Sequence, residues 1–153
     1  MGNARKQNSR KILIVESNDF VRDAMKSAFL IEGYFVEAVD SATIALEILK
    51  KDIFDLIIGD YELTDISGIE FFLHAGTISN GSRKILMTPY GELKTLSDLE
   101  KFGIDDAIEK PFPFDKLHNM VKLNLNGLSM YKLFKQDERF NHYKNAASDI
   151  EYS

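Results

Sequence analysis

The stretch that decides the fold is Asp55-Leu56-Ile57-Ile58-Gly59-Asp60, a short apolar run closed by a carboxylate. Four to eight apolar residues between polar groups are typical of a strand that is buried on both faces, as in the middle of a parallel sheet. Open α/β sheets bind their ligands beyond the C-terminal ends of the strands. Asp60 therefore stands where a reactive group is expected, and we interpret it as the reactive centre.

Four other short runs resemble this stretch, and they alternate with segments of helical period. The predicted strands are Lys11 to Val15, Tyr34 to Val39, Asp55 to Asp60, Arg83 to Met87 and the weaker Asp106 to Glu109. The predicted helices are Phe20 to Ile31, a helix capped by Asp40-Ser41, Gly68 to Ala75, Leu93 to Phe102 and Phe114 to Leu125. Strand and helix alternate with short connections, which predicts a parallel sheet with helices on both faces and right-handed crossovers.

The length of 153 residues fits one domain with a proper hydrophobic core. We expect a flexible basic N-terminus over residues 1–10, the folded domain over 11–127, and a helical C-terminal tail over 128–153. The tail has balanced charges, so we interpret it as a helix packed on the domain rather than an arm for nucleic acid.

The composition argues against several classes of protein. No apolar stretch approaches the roughly 20 residues that span a bilayer, so we expect no membrane anchor. The first ten residues lack the apolar core of a signal peptide, which favours the cytoplasm, and the absence of cysteine agrees. A net charge of −5 does not suggest a nucleic-acid surface.

Four chemically active side chains fall at the C-terminal ends of four different predicted strands. They are Glu16, Asp60, Thr88 and Lys110. Each alone is most simply a helix cap or an exposed residue, but four at equivalent strand ends indicate a site.

Together these groups suit phosphoryl transfer. A carboxylate can attack a phosphoryl group and carry it as an acyl phosphate. The reaction needs positive charge and a hydroxyl donor around the phosphoryl oxygens, which Lys110 and Thr88 would supply with a hard cation such as Mg²⁺. Mg²⁺ prefers oxygen ligands, so Asp60, Glu16 and a backbone carbonyl could be enough protein ligands.

The stretches ILIVESNDFVR, DLIIGDYELTDISGIEF, ILMT and KPF occur in this order between residues 12 and 112. With them the chain resembles a receiver domain of the two-component response regulator family over residues 10–127. The resemblance implies a flavodoxin-like, doubly wound α/β fold: a five-stranded parallel sheet in the order 2-1-3-4-5 with five helices. The C-terminal helical tail would be an addition to this fold.

The resemblance also implies roles for the residues at the strand ends. Asp60 would be the phosphoacceptor, taking its phosphoryl group from a histidine kinase or a phosphotransfer protein. Thr88 would be the switch hydroxyl and Lys110 the lysine that contacts the phosphoryl oxygen. Lys110-Pro111 would be the family's usual cis peptide. Such a protein is not an enzyme beyond self-phosphorylation from a small phosphodonor and slow autodephosphorylation.

The metal site implied by the resemblance departs from the family pattern. Glu16 matches the first position of the acidic pair, and the carbonyl of Glu62 matches the ligand two residues after Asp60. Ser17 stands where the family has an Asp that binds the metal directly. A neutral hydroxyl is a poorer ligand, so we expect weak Mg²⁺ binding unless Glu16 compensates.

Two other positions depart from the pattern. Pro89 follows Thr88 where the family has a small residue whose N–H helps bind the phosphoryl group, and proline has no N–H. Ala107 stands where the family has an aromatic ring whose movement is coupled to Thr88. Without the ring, that coupled movement could not relay the signal.

These features leave three hypotheses. The first is a working single-domain receiver, phosphorylated on Asp60. The second is a degenerate receiver that acts through protein contacts without phosphorylation, favoured by Ser17, Pro89 and Ala107. The third, a flavin carrier with the same sheet, is disfavoured because Glu16 and Asp19 in the loop after the first strand would repel a phosphate.

A receiver without an attached output domain would act by docking onto a downstream target protein or onto a second copy of itself. In the family the docking surface often includes the fourth helix, the fifth strand and the fifth helix. These correspond here to Leu93–Phe102, Asp106–Glu109 and Phe114–Leu125. We hypothesise that the tail from Leu128 packs near this surface and modifies it.

Overall fold

A computed structural model of the protein describes residues 9–92 and 99–136, so most of the basic N-terminus and residues 137–153 of the tail lie outside the description. Five parallel strands form one sheet in the order β2-β1-β3-β4-β5, which confirms the predicted order. The strands are β1 Lys11–Val15, β2 Phe35–Val39, β3 Leu56–Asp60, β4 Arg83–Pro89 and β5 Asp106–Lys110. The helices are α1 Asp19–Ile31, α2 Ala42–Leu49, α3 Gly68–Ile78, the 3-10 helix Leu99–Phe102, α4 Phe114–Leu125 and α5 Met130–Gln136.

Three of the helices begin at a polar side chain that satisfies a free backbone N–H. Asn18, Ser41 and Ser67 each accept a hydrogen bond from the N–H three residues later, at the start of α1, α2 and α3. Such caps contribute about 1 kcal/mol each. Within the described ranges, no helix has the length and apolar character needed to cross a membrane.

The sheet is covered on both faces, as its apolar strands predict. All five residues of β3 are buried. Alternate residues of each strand contribute to one of two cores. The core on one face includes Ile57 and Leu86 and lies under α2 and α3, whereas the core on the other face includes Ile58 and Met87 and lies under α1 and α4. Packing on both faces thus fixes the central strand in place, together with Asp60 at its end.

The boundaries of some elements differ from the prediction. The helix predicted to end at Ala75 continues to Ile78, and the fourth strand continues to Pro89, whose missing N–H falls at the end of the strand. Of the predicted fourth helix, only residues 99–102 lie in the described ranges, and they form a 3-10 helix rather than an α-helix. Gly103 follows it with a φ of 71°, which ends the turn.

The first turn of the tail helix α5 is fastened to β5. The Ser129 hydroxyl donates to the Asp105 carbonyl at 2.6 Å, and the buried Asp106 carboxylate accepts the N–H groups of Met130 and Tyr131 at 2.7 and 3.1 Å. A carboxylate at the start of a helix satisfies free N–H groups and favours the helix dipole. The tail therefore begins as a docked helix beside β5 and α4, although its influence on docking remains a hypothesis.

Replacing Ser129 with alanine should loosen this attachment. The Ser129→Ala variant loses the bond to the Asp105 carbonyl and the contact with the Lys132 N–H, so we expect a loss of about 1 kcal/mol that is concentrated in the tail. Amide hydrogen exchange would measure it as faster exchange in residues 130–133. Ser67→Ala, which removes the equivalent cap of α3, is the control and should leave the exchange of the tail unchanged. Equal tail exchange in Ser129→Ala and the wild type would contradict the attachment.

Candidate functional site

The four residues singled out in the sequence all lie at the C-terminal edge of the sheet. Glu16 follows β1 directly, Asp60 ends β3, Thr88 is the next-to-last residue of β4, and Lys110 ends β5. The structure brings three of them, Glu16, Asp60 and Lys110, into direct contact. Because β1 and β3 are neighbours, their terminal carboxylates are side by side, and Lys110 reaches them from the edge strand.

Lys110 bridges the two carboxylates. Its Nζ donates to Asp60 Oδ2 at 2.7 Å and to Glu16 Oε1 at 3.0 Å. Both acidic residues are nearly inaccessible, with Glu16 1% and Asp60 6% exposed. Carboxylates that are so buried are tolerated only when a charged or polar partner compensates for lost water. The ammonium group thus stands at the Asp60 oxygen where a transferred group would carry negative charge.

The two charged partners of Asp60 have shifted pKa values. Burial, followed by the proximity of Asp60, raises the pKa of Glu16 to about 7, although Lys110 opposes this rise. Burial lowers the pKa of Lys110, but its bonds to Asp60 and Glu16 outweigh burial and leave that pKa above its ordinary value. Lys110 therefore keeps its charge at neutral pH, whereas Glu16 holds its proton more tightly than an exposed glutamate does.

Thr88 contributes a hydroxyl without a partner. The residue is completely buried, and within the described part of the chain its Oγ1 has no hydrogen-bond partner. It follows Met87, which pairs with Asp60 in the register between β3 and β4. A buried hydroxyl without a partner is uncommon, because an unmade hydrogen bond costs free energy. Thr88 is thus a donor available beside the end of β3.

The oxygen atoms at this edge form a donor set that fits Mg²⁺. Glu16 Oε2 is buried without a hydrogen-bond partner in the described residues. Asp60 Oδ1 accepts the Glu62 N–H at 3.3 Å, and the Glu62 carbonyl lies 3.5 Å from the Ser17 hydroxyl. No group of three or more His, Cys, Asp or Glu residues in residues 9–92 and 99–136 is arranged to hold a metal. Two carboxylates and one carbonyl are hard oxygen donors that could hold Mg²⁺ together with water.

The structure shows the surroundings of Ser17, Pro89 and Ala107, the three positions expected from the sequence to depart from the family pattern. Ser17 offers only a hydroxyl beside Glu62, and Pro89 ends β4 opposite Lys110. Ala107 is buried in the core under α3, and Tyr131 of the tail helix packs against the same core. An aromatic ring is therefore present in this core from the tail, although none stands at position 107.

Two contacts near the site were not identified from the sequence. Arg22 donates from its guanidinium to the Glu16 carbonyl at 2.9 Å, which ties the first turns of α1 to the end of β1. Glu109, next to Lys110, accepts the N–H of Gly91 at 2.7 Å. Glu109 could have been identified from the sequence, since it is an acidic residue next to Lys110 at the end of a predicted strand. The peptide bond between Lys110 and Pro111 is cis, as the resemblance implied.

Comparison with known proteins decides the family. The sequence model described as the response regulator receiver domain matches residues 12–122, which is most of the chain. The chain belongs to this family. It is a receiver domain of two-component systems with a flavodoxin-like fold, and membership removes the flavin-carrier alternative. Receiver domains are signalling modules and not classical enzymes.

Individual relatives agree with this assignment. The chain is 32% identical over 114 residues to sporulation initiation phosphotransferase F of Bacillus subtilis, covering 74% of this chain and 92% of that protein. It spans only 24–26% of the length of two other curated relatives, which are larger regulators.

Two solved receivers have the same fold. A CheY-like receiver from Methanospirillum hungatei is 29% identical, with a TM-score of 0.73, covering 78% of this chain and 95% of that one. The response regulator TrrA from Thermotoga maritima, solved in complex with Mg²⁺ and BeF, is also 29% identical, with a TM-score of 0.67 over 76% of this receiver and 98% of that chain.

Proposed function

We propose that this receiver accepts a phosphoryl group on Asp60 from a histidine kinase or a phosphotransfer protein and then signals by protein–protein contacts. The observation that carries this proposal is the Lys110 ammonium, 2.7 Å from Asp60 Oδ2 at the buried C-terminal edge of the sheet. It explains why a carboxylate with little access to water can accept an anionic group. The similarity to a protein named as a phosphotransferase supports the same reading.

Each residue has a defined part in the transfer. One Asp60 carboxylate oxygen attacks the phosphorus, the bond from phosphorus to the donor nitrogen breaks, and its electron pair leaves with the imidazole. An acyl phosphate remains on Asp60. Lys110 stabilises the negative charge on the phosphoryl oxygens, and the Thr88 hydroxyl donates a hydrogen bond to one of them.

Mg²⁺ would be held by Glu16, Asp60 and the Glu62 carbonyl, with water completing its coordination. When bound, it would neutralise charge on the transferring phosphoryl group. The buried Oε2 atom of Glu16, which lacks a partner in the described residues, supports this assignment. The Ser17 hydroxyl supplies no negative charge, so we expect weaker binding than a third carboxylate would give.

The surface around the site suits a protein partner. Phe20, in the first turn of α1, and Tyr90, directly after β4, are 87% and 85% exposed. Both lie on segments that leave the C-terminal edge of the sheet, where Asp60 is. Exposed aromatic rings are enriched at protein interfaces, which supports docking of the phosphodonor protein here. After phosphorylation, a target protein or a second copy of the chain would bind this receiver in the cytoplasm. We propose no binding of the receiver to nucleic acid or to a membrane.

Intact mass tests the proposal directly. After incubation with Mg²⁺ and acetyl phosphate, we expect the wild-type protein to gain one phosphoryl group and Asp60→Asn to gain none. Asp52→Asn removes an exposed carboxylate paired with Lys11 and should react as the wild type does. Chelating Mg²⁺ should slow the reaction.

Two outcomes would overturn phosphorylation on Asp60. The first is no adduct on the wild type at any Mg²⁺ concentration, which would leave the degenerate receiver. The second is an equal adduct on Asp60→Asn, which would move the acceptor to another residue.

A further inference from the structure

Directly after β4, the chain donates a hydrogen bond to an acidic side chain of β5. The Gly91 N–H donates to Glu109 Oε2 at 2.7 Å. A bond to an ionised carboxylate is shorter and stronger than one between neutral groups. Gly91 has a φ of 89°, a conformation that side chains other than glycine rarely adopt, so the chain turns here in a defined way. Glu109 therefore fixes a tight turn two residues after Pro89.

This contact lies beside Thr88, whose hydroxyl has no hydrogen-bond partner among the described residues. In the register between β4 and β5, Glu109 is the direct partner of Thr88, and Lys110 is the partner of Pro89. The position of a threonine hydroxyl depends on the backbone that carries it. Pro89 has no N–H, so the residue after Thr88 cannot donate a bond that would fasten the segment. The bond from Gly91 supplies a fastening that Pro89 cannot.

Glu109 and Lys110 are neighbours on one strand, and each contacts a different part of the site. Successive side chains of a strand point to opposite faces, so the two residues reach different surroundings. Lys110 contacts Asp60 directly, whereas Glu109 contacts the segment that carries Thr88. The end of β5 thus fixes the Asp60 carboxylate and the segment that carries Thr88 relative to each other.

We propose that Glu109 is a positioning residue for phosphoryl transfer: by holding Gly91, it keeps the Thr88 hydroxyl where it can donate to the phosphoryl group on Asp60. This inference rests on the proposed function of the site. Glu109 itself touches neither the phosphoryl group nor Asp60, and it makes no covalent bond. Its effect is to keep the position of Thr88 constant, so that no free energy is spent on ordering the segment during transfer.

The test combines two substitutions at Glu109 with one at Thr88. Phosphorylation by acetyl phosphate is followed by intact mass in the wild type, Glu109→Ala, Glu109→Gln, Thr88→Ala and the double variant. We expect Glu109→Ala to slow the reaction about tenfold, because a misplaced donor stabilises the transition state poorly. Glu109→Gln keeps an oxygen acceptor for the Gly91 N–H and should recover most of the rate. Glu47→Ala, which breaks an exposed pair with Lys50, is the matched control and should change nothing.

The double variant separates positioning from a merely structural role. If Glu109 acts through Thr88, then Glu109→Ala should have no further effect once Thr88 is alanine. Hydrogen exchange at the Gly91 amide, which needs no phosphorylation, should be faster in Glu109→Ala than in the wild type and Glu109→Gln.

An equal slowing by Glu109→Ala in the wild-type and Thr88→Ala backgrounds would overturn the inference, as would unchanged Gly91 exchange. If the wild type reacts and Glu109→Ala reacts as fast, only the role of Glu109 fails. If the wild type takes up no phosphoryl group, the proposed function fails and this role fails with it.

Discussion

Replacing Gly68 with alanine is expected to destabilise the protein by about 3 kcal/mol or more and to disturb the position of Asp60. A Cβ atom at Gly68 would lie 2.2 Å from the Asp60 carbonyl oxygen and 2.8 Å from the Tyr61 Cα. Both are backbone atoms, so no side chain can rotate away to relieve the clash. The Gly68 N–H also donates to the Tyr61 carbonyl at 2.8 Å, which holds α3 against the loop after β3. The measurement is the free energy of unfolding in urea.

Gly76 provides a matched control on the same helix. A Cβ atom at Gly76 would meet no atom within 4 Å. Alanine is the better helix former by about 1 kcal/mol, so Gly76→Ala should stabilise the protein slightly. Opposite signs for the two substitutions would establish that space, and not helix propensity, decides the effect at Gly68. A Gly68→Ala variant that unfolds at the wild-type urea concentration would contradict the close approach of α3 to Asp60.

Glu16→Gln is expected to make the protein more stable at pH 8 but not at pH 4. In the folded protein, burial and Asp60 raise the pKa of Glu16 from its ordinary value of 4.5 to about 7. The folded state therefore holds the proton of Glu16 more tightly than the unfolded state does. The free energy of unfolding falls as the pH rises from about 4.5, and the loss is complete above about 7. Glutamine resembles the protonated acid and avoids this loss, which corresponds to about 3 kcal/mol.

Urea unfolding between pH 4 and pH 8 in metal-free buffer would measure the difference between wild type and Glu16→Gln. Glu70→Gln alters an exposed carboxylate on α3 and should leave the stability within about 0.5 kcal/mol of the wild type at each pH. Adding Mg²⁺ should narrow the difference at pH 8, because a bound cation favours ionised Glu16. Parallel pH profiles for the wild type and Glu16→Gln would show that Glu16 does not carry this buried charge.

Much of the fold could be predicted because the apolar runs in the sequence are the strands, and the polar residues that follow them mark the strand ends. Apolar runs such as Leu56 to Ile58 are buried on both faces, and only parallel strands make their C-terminal residues converge. The contact of Lys110 with Asp60 follows from that convergence, since Lys110 has the length to reach inward from the edge strand. The roles of these residues in phosphoryl transfer stay predictions.

Other features depend on contacts that no local pattern encodes. Asp106 looked like an ordinary polar boundary of a weak strand, yet its carboxylate receives the N–H groups of Met130 and Tyr131. Glu109 likewise binds Gly91 only because the turn after β4 brings that N–H across to β5. Both contacts depend on the path of a loop, which has no periodicity to read.

The fifth strand connects the Asp60 site to the tail helix α5. Asp106 at the start of the strand accepts a hydrogen bond from α5, and Lys110 at its end donates one to Asp60. The separation is only four residues, roughly 13 Å of extended chain. A displacement of Lys110 along β5 would therefore be transmitted to α5, because Lys110 and Asp106 belong to the same strand. The orientation of α5 relative to the sheet is therefore set by β5 itself.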